Sequence, residues 1–216
     1  MNYIIYSGPD ELYHHGVKGM KWGVRHDPER SNRHLRAASR SQRDADNLRS
    51  HGYHKEANAV QKVANQQKIK GENKQNVQQA KRDYKAAKKA YNKEFNTWYY
   101  KHPKLHVTKK GKQKEETQLM RALVKANDLN IAKGKYMQAK GVAKNKPKAV
   151  AKGKHLVNNA SNAKKYNVKV VDLMEKGYTF SDANKSLHSS YESSMKRQAD
   201  ENARYNRERE SLKKKG

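Results

Sequence analysis

The amino-acid sequence predicts a mostly α-helical protein of extended helices, with coiled-coil-like pairing, flexible basic connectors and some disorder. Leu, Ile, Val and Phe together account for only 30 of the 216 residues, which is too few for one large core. The formal net charge is +28. In one central segment, apolar residues recur at spacings of three and four, as on one face of a helix. This composition argues against a deep, dry enzyme pocket, and we expect no catalytic residues.

The first predicted segment, residues 1–26, is distinguished by its glycines and its tryptophan. Glycine allows close approach of the backbone, and buried Trp and Met are typical anchors of a docked peptide. The same residues could instead form a small cap on the first helix, so both interpretations stay open. The residues predicted to dock on a partner are His15, Gly16, Gly19, Met20, Lys21, Trp22, Gly23 and Arg25.

Two short helices are predicted in the second segment, residues 27–72. Asp27 is a suitable N-cap and Pro28 suits the first helical position, so the first helix should run from Pro28 to about Ser50. The second should cover residues 54–70 and stop before Gly71.

The clearest helical periodicity lies in the third segment, residues 73–138. A heptad-like stripe predicts coiled-coil-like pairing and offers a route to a homo-oligomer. The tyrosines of the stripe could alternatively stack on single-stranded nucleic acid. A further helix is predicted over residues 113–138. The stripe consists of Val77, Ala80, Tyr84, Ala87, Tyr91, Glu94 and Trp98.

The positive charge is concentrated in the middle of the chain. No acidic residue lies between Asp128 and Asp172, whereas lysine occurs there eleven times. Residues 139–167 are therefore predicted to be a Lys-rich flexible connector that contacts a polyanion. Lysine contacts phosphates without reading bases, so nucleic-acid binding should be non-specific, although an acidic protein would also satisfy the charge. The candidate nucleic-acid-binding residues are Lys133, Lys135, Lys140, Lys144, Lys146, Lys148, Lys152, Lys154, Lys164 and Lys165.

The last segment, residues 168–216, is predicted to end in a polar helix. Residues 168–174 are too short to assign, residues 177–180 form a turn, and Ser181 is the predicted N-cap of a helix that reaches about residue 213. Because its apolar positions are sparse, this helix should pack on a partner.

No metal, cofactor or membrane site is expected. The chain has no cysteine, which excludes disulfides and thiol nucleophiles. His14 and His15 are adjacent, point in different directions and have no third ligand at a suitable spacing. The longest apolar run, residues 3–6, is far too short to span a bilayer.

Residues 13–25 resemble a known motif. They read Tyr-His-His-Gly-Val-Lys-Gly-Met-Lys-Trp-Gly-Val-Arg, which is similar to a short N-terminal motif of virion-associated proteins from bacteriophages and prophages. The resemblance implies a phage context, with phage head or other virion proteins as partners, and the virion or the host cytoplasm as location.

These observations predict a non-enzymatic, virion-associated structural or assembly protein whose basic centre contacts DNA or an acidic partner. A minor head component, a scaffold and an internal cargo protein all fit this description. The alternative is a sequence-independent nucleic-acid-binding protein of a mobile element that acts in the host cytoplasm.

Overall fold

The computed structural model describes residues 32–101 and 109–214, and it confirms the mostly α-helical class. The chain divides into two compact units, Met1–Gly71 and Glu72–Gly216. Within the described ranges there is no strand, and no helix is both long and apolar enough to cross a membrane. The helices there are α1 (Arg33–Ser50), α2 (His54–Lys101), α3 (Lys109–Ala143), α4 (Pro147–Glu175), α5 (Phe180–Ser186) and α6 (His188–Lys214).

In the first unit, α1 packs against the part of α2 that ends at Gly71. The chain reverses at Gly52, whose φ of 82° lies in the left-handed region that favours glycine. The contact is made largely by small residues, which let the two helices lie close together. Its buried residues include Ala38, Ala45, Ala57 and Ala64.

Asn32 sets the start of α1. Its backbone is extended, and its side-chain oxygen accepts a hydrogen bond from the N–H of His34 at 3.2 Å, as an N-cap does. Its Nδ2 donates to the carbonyl of Gly71 at 2.6 Å, and the residue is only 3 % exposed. The helix that ends at Ser50 therefore begins at Arg33, and the predicted start at Pro28 is wrong; residues 27–31 lie outside the described part of the chain.

Gly71 does not end a helix, contrary to the sequence prediction. It lies inside α2, where an added Cβ would come within 2.6 Å of the Leu35 side chain and 3.1 Å of the Leu35 backbone nitrogen. This glycine therefore permits close approach of α1, and the helix predicted over residues 54–70 continues without a break through the heptad-like stripe to Lys101.

In the second unit, α3 and α4 form an antiparallel hairpin. The helices approach each other closely at two glycines: a Cβ on Gly134 would lie 2.7 Å from the carbonyl oxygen of Gly153, and one on Gly153 would lie 2.6 Å from that of Gly134. Away from the hairpin turn, α3, α4 and α5 enclose an apolar cluster of Met120, Val170, Val171, Met174 and Ala183.

The prediction of a flexible connector over residues 139–167 is wrong. Helix α3 continues to Ala143, a short turn follows in which Asn145 has a φ of 50°, and α4 begins at Pro147. Proline suits the first turn of a helix, and the glycines lie at the contact between the two helices. The unassigned residues 168–174 belong to the last two turns of α4.

The C-terminal segment is two helices instead of one. The N-cap of α5 is Thr179, and not Ser181, because the Thr179 hydroxyl accepts from the N–H of Asp182 at 3.2 Å. A break at Leu187 separates α5 from α6, which packs antiparallel on α4. The partner that this polar helix requires is thus supplied by the same chain.

The heptad-like stripe marks a partly covered face of α2. Its described members Val77, Ala80, Tyr84, Ala87, Tyr91 and Glu94 are half-buried, whereas most residues between them are exposed. Tyr84 stacks on Tyr136 of α3, with ring centroids 6.2 Å apart and planes 6° from parallel. Coiled-coil pairing over residues 73–138 stays a prediction.

The glycine contact gives a first testable consequence. We expect Gly153→Ala to lower the stability of the hairpin, since its methyl group would meet the backbone of α3. Overpacking costs about 1–3 kcal/mol, which exceeds the roughly 1 kcal/mol that alanine gains in helix propensity. Urea unfolding followed by circular dichroism measures the difference. The control is Lys152→Ala, at an exposed neighbouring position. A Gly153→Ala protein more stable than the wild type would contradict the close approach.

Candidate polyanion-binding site

The α3–α4 hairpin carries eight of the ten predicted lysines at its turn and in the adjoining helical turns. We call this set the lysine-rich end. Every member is exposed: Lys133, Lys135, Lys140, Lys144, Lys146, Lys148, Lys152 and Lys154.

These lysines are not neutralised by neighbouring acids. Within residues 32–101 and 109–214, none of the eight forms an ion pair, and Lys140 instead lies 5.9 Å from the ring centre of Tyr136. Charges of one sign gathered on a small surface attract a polyanion and repel one another when it is absent. The geometry therefore provides a concentrated, accessible positive field.

The dimensions of the lysine-rich end match a short stretch of nucleic acid. Residues 133–143 of α3 lie beside residues 147–157 of α4, and eleven helical residues extend about 16 Å. This is roughly half of one turn of a DNA duplex. Lys133 and Lys140 share one face of α3, whereas Lys135 lies about 160° away around the axis. A rigid duplex would therefore contact some of the eight lysines and not all of them.

Lys164 and Lys165 do not belong to this surface. Ten residues of helix, about 15 Å, separate Lys154 from Lys164. Lys164 also forms an ion pair with Asp128, with Nζ 2.6 Å from the carboxylate. The structure thus divides the predicted set, because folding brings an acidic residue of α3 beside one of its members.

The predicted docking residues lie outside the described part of the chain. These are His15, Gly16, Gly19, Met20, Lys21, Trp22, Gly23 and Arg25.

A polar contact between α4 and α6 was not predicted from the sequence. The His155 ring stacks on Tyr205 with centroids 4.2 Å apart, and Asn159 donates to Asn202 at 2.9 Å. Glu201, 11 % exposed, accepts hydrogen bonds from Asn158 and Arg204. The partners on α4 and α6 are more than 40 residues apart in the chain, and Glu201 and Arg204 lie within one turn of α6. Local helical periodicity therefore does not predict this contact.

The pKa of Glu201 follows from these surroundings. Burial, the largest single influence, opposes ionisation. Hydrogen bonds from Arg204 and Asn158 and the charges of Arg204 and His155 together outweigh it, so the pKa of Glu201 lies below its usual value. A depressed carboxylate pKa stabilises the folded state at neutral pH, and the effect is lost as the pH falls through the folded-state pKa.

We therefore expect Glu201→Gln to destabilise the protein by about 1–2 kcal/mol at pH 7, because charge-assisted hydrogen bonds are removed. The difference from the wild type should shrink as the pH falls from the ordinary glutamate pKa of about 4.3 through the lower folded-state pKa of Glu201, because the wild-type carboxylate then becomes protonated as well. Denaturant unfolding at a series of pH values measures this. Glu210→Gln is the control, since Glu210 pairs with Lys213 on the exposed side of the same helix. Equal effects of both substitutions would contradict the prediction.

Within residues 32–101 and 109–214, no group of three or more His, Asp or Glu side chains is suited to hold a metal ion.

Comparison with known proteins concerns the N-terminal segment. Residues 7–29 match a family model described as a family of unknown function, DUF7211. This match includes residues 13–25 and none of the residues that the structure describes. No curated protein and no solved structure matches the chain. The function of the helical units must therefore be inferred from their own geometry.

Proposed function

We propose that this chain is a non-enzymatic structural or assembly protein of a phage particle that binds nucleic acid through its lysine-rich end without reading the sequence. The observation that carries the proposal is the set of eight exposed lysines around one hairpin turn, none of which has an acidic partner in the described part of the chain.

Nucleic acid fits this surface better than an acidic protein does. A specific protein interface is organised around a buried apolar or aromatic centre. At the hairpin turn the large apolar side chain that stands exposed is Val142 (54 %), surrounded by lysines. A phosphate backbone needs no such centre, because its binding is dominated by charge and by counterion release.

The phage context is supported by the N-terminal motif at residues 13–25. A net charge of +28 also favours a component that stays with the packaged genome over an abundant scaffold. We therefore favour a minor head component or an internal cargo protein over a scaffold.

Fluorescence anisotropy with several unrelated duplexes over a range of salt concentrations tests the binding function. If about six lysines contact phosphates, the slope of log K against log salt should be near −5, and the affinity should be the same for every sequence. No binding at low salt would contradict the proposal and assign the charge to an acidic protein. Strong preference for one sequence would also contradict it.

Mass spectrometry of purified particles tests the phage role. We expect the chain among the particle proteins. Its absence from particles, with recovery only from the host cytoplasm together with replication proteins, would overturn this role in favour of a mobile-element function.

A further inference from the structure

A groove of about 760 Å³ lies between α4 and α6, away from the lysine-rich end. Its α6 wall includes four small residues at positions i, i+1, i+4 and i+5, which lie on the same side of the helix. Serine side chains are too short to fill the space between two helices, so the groove stays open where bulkier residues would close it. The serines are Ser189, Ser190, Ser193 and Ser194.

Four cations line the same groove: Lys164 and three others. Lys165 and Lys169 are one helical turn apart on α4, and Arg197 lies opposite on α6. Within residues 32–101 and 109–214 none of the three forms an ion pair, whereas the neighbouring Lys164 is neutralised by Asp128. Three uncompensated positive charges beside donor hydroxyls favour an anion with several acceptor oxygens.

The groove also has an apolar part. Ile131 and Val168 line it together with the ring of Tyr166, whose hydroxyl donates to Asn184. Burial, followed by the neighbouring Tyr191, raises the pKa of Tyr166, so this hydroxyl stays neutral at pH 7. An inorganic phosphate would leave the apolar residues uncovered and would fill little of the groove.

We propose that this groove binds the phosphoryl group of a nucleotide, with the phosphate at Lys165, Lys169 and Arg197 and the base against Ile131 and Val168. The volume lies within the roughly 300–1,000 Å³ that is usual for small-ligand sites. The nucleotide could be free or part of a nucleic-acid strand, since both supply the same chemistry. The groove residues are separate from the lysine-rich end, so this site goes beyond the function proposed above.

Isothermal titration calorimetry with ATP at about 0.15 M salt, where weak surface attraction is screened, tests the proposal. We expect one ATP per chain. The triple variant Lys165→Gln, Lys169→Gln and Arg197→Gln should weaken binding at least about tenfold. A control with the same loss of charge is Lys176→Gln, Lys185→Gln and Lys196→Gln, all exposed positions that do not line the groove. Equal loss in both triple variants would overturn the proposal.

A second variant fills the groove without changing its charge. Ser193→Leu should abolish ATP binding while leaving the helical signal in circular dichroism intact. Retention of ATP binding by Ser193→Leu would overturn the placement of the ligand.

Two further measurements distinguish a free nucleotide from a nucleic-acid strand as the ligand, and the groove from the lysine-rich end as the binding site. If a single-stranded 12-mer, and not ATP, loses affinity in the groove variant relative to its control, the groove holds a nucleic-acid strand. If neither ligand responds to the groove variant, the site is refuted. Replacing the lysines of the lysine-rich end with glutamine should leave ATP binding unchanged. The proposal for the groove and the proposal for the lysine-rich end can therefore fail independently, with different results.

Discussion

Replacing five lysines of the lysine-rich end with glutamine is expected to weaken duplex DNA binding at least about a hundredfold at 0.1 M salt. Each phosphate contact contributes about −0.9 to the slope of log K against log salt, so the slope should flatten by several units. Binding should weaken equally for every DNA sequence, because these contacts carry no base information. The variant combines Lys144, Lys146, Lys148, Lys152 and Lys154, each changed to Gln.

The matched control removes the same number of charges from exposed positions on α2. It should leave most of the affinity and most of the salt slope, because the field at the hairpin turn is unchanged. Equal losses in the two variants would show that net charge matters and that the lysine-rich end does not. Circular dichroism should show unchanged helix in both proteins. The control combines Lys81→Gln, Lys85→Gln, Lys88→Gln, Lys89→Gln and Lys93→Gln.

The second large effect is expected at the N-terminal motif. Residues 1–27, fused to an unrelated carrier, should bring the carrier into assembling particles, and Trp22→Ala should abolish this. Full burial of a large apolar side chain contributes about 2–3 kcal/mol, or roughly a hundredfold in affinity. Glycines beside Trp22 cost backbone entropy on ordering, and docking in a partner groove would offset that cost. Quantitative mass spectrometry of purified particles measures the incorporated carrier.

The outcome that would refute docking is specific. In the full chain, Trp22→Ala should leave the helical content unchanged. If it melts the helices and partner binding persists, the segment is an intramolecular cap.

Local sequence patterns were sufficient to predict the helical class and the positions of several helix ends. The spacing of Val77, Ala80, Tyr84, Ala87 and Tyr91 correctly identified the more protected face of α2. The turn around Gly177, whose φ is 97°, was also predicted. Both features depend on residues within a few positions of one another, which is the range over which helical periodicity and turn propensity act.

The candidate site was predictable in its charge and not in its arrangement. A run without acidic residues indicates a polyanion partner whatever the fold. Eight lysines gather around one hairpin turn, and Lys164 pairs with Asp128, 36 positions earlier, because of the way α3 and α4 pack together. The groove lined by Lys165 and Arg197 likewise exists only because α6 folds back on α4.

By itself, the sequence determined the helical class, the excess of positive charge and the shortage of apolar residues for one large core. The tertiary structure decided what the glycines do. In the Lys-rich segment over residues 139–167, glycine is as compatible with a flexible connector as with a close contact between two helices. At Gly153 the second applies, because the carbonyl oxygen of Gly134 lies only 2.6 Å from where a Cβ would be. No local sequence pattern predicts this contact, because its two glycines lie on different helices that come together only when the chain folds.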